Sequence, residues 1–231
     1  MKSVYLRFNS FKWVNEFRKG NIRFSCPLAY QKIENPAVGD RLEGIADEIV
    51  TNCSPDNPPE FAKPLIKALR KNILSNEITF KQSCFYPKAH KDRILCLYKL
   101  DLDDEKIITS VSIKNKLFDY DSFIVVYDVS SLFEQVKIYF TDKQNYKFRI
   151  GEVSYSNISM GRSVFDKPMH LCYQNELRIL ITDNNISDYN NGIYVPLDIS
   201  IGDISGNTSE IFDIESLFTA KTVDDFILKS A

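Results

Sequence analysis

The sequence predicts an α+β fold, mixed twisted sheets with peripheral helices. Three observations carry this expectation. The chain holds 16 Phe and 12 Tyr against 8 Gly, a composition that suits a sheet-rich core better than a loop-rich scaffold. Strand-type runs recur along its length, strongest at Phe123–Val129 and Glu176–Thr182. Short apolar stripes at helical spacing, flanked by capping residues, stand between them. At 231 residues, 44% hydrophobic and 26% charged, the chain is long enough for a substantial core and reads as one domain, 1–231.

The opening is strand, helix, strand. Val4–Phe8 alternates Tyr5 and Arg7 with Val4, Leu6 and Phe8. Asn9 or Ser10 then caps a helix whose stripe is Trp13, Val14 and Phe17, and Gly20 ends it. Ile22–Ser25 follows as a second short strand, stopped by Cys26-Pro27. From about 34 to 59 runs a polar stretch containing Asp40, Glu43, Asp47 and Glu48, read as a loop insertion, either a flap or a binding loop. Pro59 suits the first turn of a helix reaching about Ser75.

The middle reads as sheet. Ile78, Phe80, Gln82 and Cys84 alternate with polar residues, while Arg93–Leu100 is apolar in both registers and fits strand or buried helix. After Phe123–Val129, Ser131 and Glu134 fit a capping box for a helix through about Phe140. Phe148–Tyr155 resumes the sheet, with Gly151 as a candidate bulge. Glu176–Thr182 reads as a strand buried on both faces. Ile193–Ile201 is a further strand, at an edge because of Pro196, and Thr222 with Asp225 opens a C-terminal helix.

Several function classes are set aside at this level. The net charge of −2 gives no global pull toward nucleic acid or a membrane surface. No apolar run approaches the roughly 18 residues of a membrane span, and the N-terminus lacks a signal-type apolar run. Five cysteines without C-x-x-C spacing read as reduced thiols in a cytoplasmic protein. Gly-rich phosphate loops, H-E-x-x-H and metal-type Cys/His spacings are all missing, so no metal ligands are assigned. His90 reads as a solvated loop residue and His170 as a packing or hydrogen-bonding residue beside the late strand.

The candidate chemistry gathers at Glu176 and Arg178, two apart on one strand and therefore on one face. Gln174 shares that face if the strand extends to it. The simplest reading of such a line is a salt-bridged pair with cross-strand partners. The sharper one is a polar group awaiting a ligand.

The order Tyr173-Gln174-Asn175-Glu176-Leu177-Arg178 resembles the Q-x-E motif of the ADP-ribosyltransferase superfamily, which implies an ADP-ribosyltransferase-like fold with NAD as substrate. In the arginine–serine–glutamate branch, an arginine on the first strand contacts the NAD phosphates, a serine on a middle strand shapes the nicotinamide pocket, and the late glutamate binds the nicotinamide ribose. The resemblance places these roles on Arg7, Ser83 and Glu176, with Gln174 positioning the acceptor and Arg23 as a second cofactor contact. Ser110-Val111-Ser112 has the closer local pattern to the family's Ser-Thr-Ser, which neither site reproduces. A second resemblance covers more of the chain. Ile22-Arg23-Phe24-Ser25, Gly39-Asp40 with Glu43-Gly44, Ser83-Cys84-Phe85 and Tyr173 with Glu176 and Arg178 are similar to a bacterial domain family of unknown function found among abortive-infection and phage-defence genes. It implies a role in bacterial or phage conflict.

Together these imply an effector that cleaves the nicotinamide–ribose bond of NAD, passing the ADP-ribosyl group to a macromolecular acceptor or to water. Two other classes stay open. The acidic stretch could hold a divalent cation for a nuclease-like effector, or the polar line could serve a non-enzymatic inhibitor or sensor.

Overall fold

The computed structural model describes residues 2–32, 45–54, 56, 57, 63, 67, 78–85, 89–103, 106, 107, 120–157, 163–187, 195–220 and 226. The expected α+β character holds, with a mostly antiparallel central sheet and few helices. In chain order the elements are β1 (Lys2–Asn9), α1 (Phe11–Arg18), β2 (Asn21–Phe24), β3 (Ile45–Cys53), β4 (Ile78–Phe85), β5 (Asp92–Asp103) and β6 (Lys106–Ile107). Next come β7 (Ser122–Val126), α2 (Val129–Tyr139), β8 (Tyr146–Glu152), β9 (Ser154–Ser156), β10 (Asp166–Pro168), β11 (Glu176–Asp183), β12 (Leu197–Ser200), β13 (Thr208–Asp213) and α3 (Ile214–Thr219).

The central sheet runs β13-β7-β1-β5-β11-β8, with β6 added beside β5. Its described pairings are all antiparallel, and the short β9–β10 ladder is parallel. β12 pairs β2, and β3 pairs β4, each as a separate two-stranded sheet. The apolar residues of Arg93–Leu100 settle as strand because β5 is sandwiched on both sides by ladder partners, β1 and β11.

Both sheet faces are buried. One carries Leu95, Leu97, Ile124, Val126, Leu177, Ile179 and Ile181, covered by Val14 and Phe17 of α1, by Val129, Leu132 and Val136 of α2, and by Ile22, Phe24 and Ile199 of the β2–β12 ladder. The opposite face holds Leu6, Phe8, Leu100, Phe123 and Val125 under Phe212, Leu217 and Phe226. Along the same face, Ile94 and Leu180 lie under Cys26, Leu28, Val164 and Phe165. Apolar burial on both faces explains why β5 and β11 read as continuous rather than alternating runs.

Some local expectations are corrected. The polar run from 34 to 59 is not loop throughout, since 45–53 is a strand held by the β4 ladder. The N-cap of α2 is Asp128, whose side chain accepts from the Ser131 N–H at 2.8 Å, so the helix begins before the expected Ser131–Glu134 box. At α1, Ser10 occupies the N-cap without a side-chain cap bond. Asp121 instead accepts from the Phe11 N–H at 2.6 Å. Gly151 is no bulge, because β8 and β11 pair without a register shift. A Cβ there would meet the Phe165 ring at 3.2 Å. Lys63, Lys67 and Phe226 are helical, and the rest of the two expected helices at 59–75 and from 222 lies outside the described residues. Among the described residues no helix is long and apolar enough to cross a membrane.

Candidate functional site

Two polar groupings flank the β1–β5–β11 core. The first is built where β11 begins. Asn175 adopts a left-handed conformation (φ 35°). It is fixed there by its Nδ2 donating to the Lys99 carbonyl at 2.6 Å, while its own carbonyl accepts from the Lys99 N–H at 2.7 Å. That kink ends a 3-10 turn over Met169–Gln174 and starts the strand at Glu176. Gln174 and Glu176 are therefore not two steps along one strand, as the sequence suggests. They are brought together by a residue the sequence reading passed over, Lys167 of β10.

Lys167 is 3% exposed, and its Nζ donates to Gln174 Oε1 and, at 2.7 Å, to Glu176 Oε1. The other carboxylate oxygen, Oε2, accepts from Arg178 Nε at 2.8 Å, and Arg178 also donates through Nη1 to the Val164 carbonyl. The Tyr155 hydroxyl accepts the Glu176 backbone N–H at 3.0 Å. Burial alone would raise the Glu176 pKa, but the adjacent Arg178 and Lys167 outweigh it and bring the carboxyl down to about 2. Tyr155 shifts the other way, raised by burial and by the Glu176 charge. The cluster is a carboxylate clamped between two cations. Its sequence signal was the i, i+2 spacing of Glu176 and Arg178, and nothing local marked Lys167 as the third member.

Asn175 is the residue on which this arrangement turns. Replacing it with Ala removes the side-chain bond to the Lys99 carbonyl and puts a Cβ-bearing residue without local hydrogen-bonding capacity in the left-handed region. The expected cost is about 1–3 kcal/mol, readable as a lower urea midpoint with an unchanged slope. Asn175→Gly, which tolerates that backbone, is expected to lose less.

The second grouping is a cavity of about 650 Å³. β1 pairs β5 only as far as Leu6↔Tyr98, and farther along β5 it is Ser25 that bridges to Ile94. Arg7 stands where β1 leaves β5. Its Nη1 donates to the Cys96 carbonyl at 3.0 Å, and the residue lines the cavity together with Asn9, Ser25 and Tyr30. Trp13, Tyr120 and Tyr139 add aromatic wall, and Arg23 with Asp198 stands at the β2–β12 side. Arg23 is held in a two-pronged pair with Asp198, both contacts 2.8 Å, and its guanidinium lies 5.2 Å from the Trp13 ring centre. Glu16, also on the wall, accepts from Asn21 and Lys19. Arg7, by contrast, is half-buried with no carboxylate partner among the described residues.

The structure thus brings Arg7 and Arg23 to one cavity and leaves Glu176 off its wall. Register gives the reason. Glu176 lies opposite Tyr98, and Tyr98 opposite Leu6; directly opposed residues share a face. Arg7, one step on and opposite Ile124, projects to the other face. Tyr30 lines the cavity, its hydroxyl hydrogen-bonded to Ser25. Burial first and Cys96 second push its pKa up, and the charges of Arg7 and Glu176 both reach it.

Ser83 sits on β4 opposite Glu48, outside the central sheet, and Asp47 lies opposite Cys84. Ser110, Ser112, Asp40 and Glu43 lie outside the described residues. Among the described residues no group of three or more His, Cys, Asp or Glu is placed to hold a metal ion. His170 is exposed on the 3-10 turn rather than packed, and the His90 carbonyl accepts from the buried Arg93 at 2.8 Å. Comparison with protein-family models, with curated proteins and with solved structures finds no match for this chain.

Proposed function

We propose that this chain binds a dinucleotide of the NAD type in the Arg7 cavity and acts as an ADP-ribosyltransferase-like or NAD-glycohydrolase-like effector in bacterial or phage conflict. The observation that carries the reading is Arg7: a half-buried guanidinium on the wall of a nucleotide-sized, aromatic-lined cavity, donating to a backbone carbonyl and, among the described residues, without a carboxylate partner. A cation held this way favours an anion, and a guanidinium fork suits phosphate oxygens. A volume of about 650 Å³ falls within the roughly 300–1,000 Å³ of small-molecule sites.

The reaction needs little more than a carboxylate. As the bond between nicotinamide and ribose breaks, the bonding pair leaves with the ring as neutral nicotinamide, and positive charge develops on the sugar. A fixed carboxylate lowers that barrier. An acceptor nucleophile, from a macromolecule or from water, then closes on the anomeric carbon and gives up its proton. Among the described residues the carboxylates on the wall itself are Glu16 and Asp198, and Glu176 is not on it.

The test is NAD binding and nicotinamide release, compared across Arg7→Gln, Glu16→Gln, Asp198→Asn and Glu176→Gln with melting temperature measured in parallel. Arg7→Gln is expected to weaken NAD binding by about tenfold or more, the scale of a lost charge-assisted hydrogen bond, without a matching fall in melting temperature. Release lost in one carboxylate variant at retained binding and stability assigns the cleavage to that residue. Wild-type chain that neither binds nor cleaves NAD at millimolar concentration overturns the proposal.

A further inference from the structure

Resting on that reading, we infer that Asn9 and Tyr30 complete an anion subsite with Arg7, so that the end of the cavity at the β1–β5 parting recognises the phosphate part of the ligand rather than its base or sugar. Arg7 and Asn9 are two apart on β1 and project from one face. Both line the cavity. The Asn9 side-chain oxygen is committed, accepting from the Ser10 N–H at 2.9 Å. That fixes the amide's orientation, so its Nδ2 is presented as a donor. Tyr30 contributes a hydroxyl already hydrogen-bonded to Ser25 and kept protonated by its surroundings. Three donor-bearing side chains thus line the same cavity, and among the described residues the carboxylates on its wall are engaged elsewhere: Glu16 with Lys19 and Asn21, Asp198 with Arg23. Side-chain donors on a shared wall whose carboxylates are already engaged suit the oxygens of a phosphate.

The subsite makes a prediction separate from the one for Arg7. Asn9→Asp preserves the oxygen that Ser10 needs and replaces the donor with a negative charge. Tyr30→Phe keeps the ring and removes only the hydroxyl. The probes are pyrophosphate and, separately, adenosine, added to the full chain. Binding is followed by calorimetry and by the fluorescence of Trp13, which is the only tryptophan of the chain and lies on the cavity wall. Pyrophosphate is expected to bind wild type, about tenfold or more weaker to Asn9→Asp and several-fold weaker to Tyr30→Phe, with adenosine affinity the same in all three. Pyrophosphate binding that falls in Arg7→Gln but is unchanged in both Asn9→Asp and Tyr30→Phe would sink the subsite and leave the nucleotide reading standing. A wild-type chain that binds neither NAD nor pyrophosphate would remove both.

Discussion

Replacing Glu176 with Gln is expected to destabilise the fold by about 3–5 kcal/mol, the range for removing one partner of a buried ion pair. In a chain of this size that is a fall in melting temperature of roughly 6–20 °C. The carboxylate is shared by two cations that are themselves 3% and 1% exposed. A glutamine keeps one acceptor oxygen but turns an NH₂ group toward the second cation, donor against donor. Two buried positive charges are then left without their common counter-ion. Loss below about 1 kcal/mol would show that the cluster is not the buried lock described here. Replacing Lys167, Glu176 and Arg178 together by apolar residues of similar volume is expected to recover most of the loss, since it removes the charges instead of stranding them.

The same cluster fixes the direction of the acid response. The Glu176 pKa in the fold lies below its unfolded value, at about 2, against roughly 4.3 for a free glutamate. Its contribution is therefore complete above the unfolded value and is lost as pH falls toward the folded one. Urea midpoints of wild type should drop more steeply between about pH 4.5 and 2 than those of Glu176→Gln, and the two curves should approach one another at the acid end. A stability difference independent of pH across that window would contradict the assignment. There is also a functional consequence. Because Glu176 supports the fold, activity lost on its replacement indicates catalysis only when folded stability is matched, for instance by working well below both melting temperatures.

How the cluster was legible in the sequence, and how far, follows from the range of the forces involved. Glu176 and Arg178 could be placed on one face because strand periodicity is a local property. The salt-bridged pair expected from that spacing is present. Lys167 could not be found the same way. It reaches Glu176 across a 3-10 turn and the left-handed Asn175, and its neighbours Asp166 and Pro168 describe an ordinary surface turn. Even the alternation in β1, which put Tyr5 and Arg7 on one face, was readable. That this face is turned away from Glu176 depends on the antiparallel pairing of β1 and β11 with β5, and pairing between distant strands leaves no trace in either strand's own pattern. The strand at 45–53 was hidden for a related reason. Its polar residues argue for loop, and only the β4 ladder makes it sheet. Gly20 was the opposite case, marked locally as a helix end, with its larger role supplied by a contact far along the chain.

That contact yields the second large effect. Gly20 has φ +82°, and a Cβ built on it would lie 1.7 Å from the Gly202 carbonyl oxygen. Backbone stands against backbone here, so no side chain can swing aside. The Gly20 carbonyl accepts from the Ile201 N–H at 3.0 Å; Gly20 directly precedes β2 and Ile201 directly follows β12, and the two strands pair Asn21 with Ser200 and Arg23 with Asp198. Gly20→Ala must therefore push the end of β12 away or give up the left-handed turn. The left-handed conformation alone costs about 1–2 kcal/mol for a non-glycine residue, and the collision adds to it, so a total above about 4 kcal/mol is expected, at the far end of single-substitution effects. Gly202→Ala is the control: it shares the positive φ but meets nothing within 4 Å, and should lose only the conformational part. The ladder so displaced carries Arg23, Asp198 and Ile199 on the cavity wall, so Gly20→Ala chain that stays folded at low temperature should also bind nucleotide more weakly, whereas Gly202→Ala chain should bind it normally. Equal stability of the two variants would mean that the close approach of Gly20 to Gly202 does not hold this edge of the cavity in place.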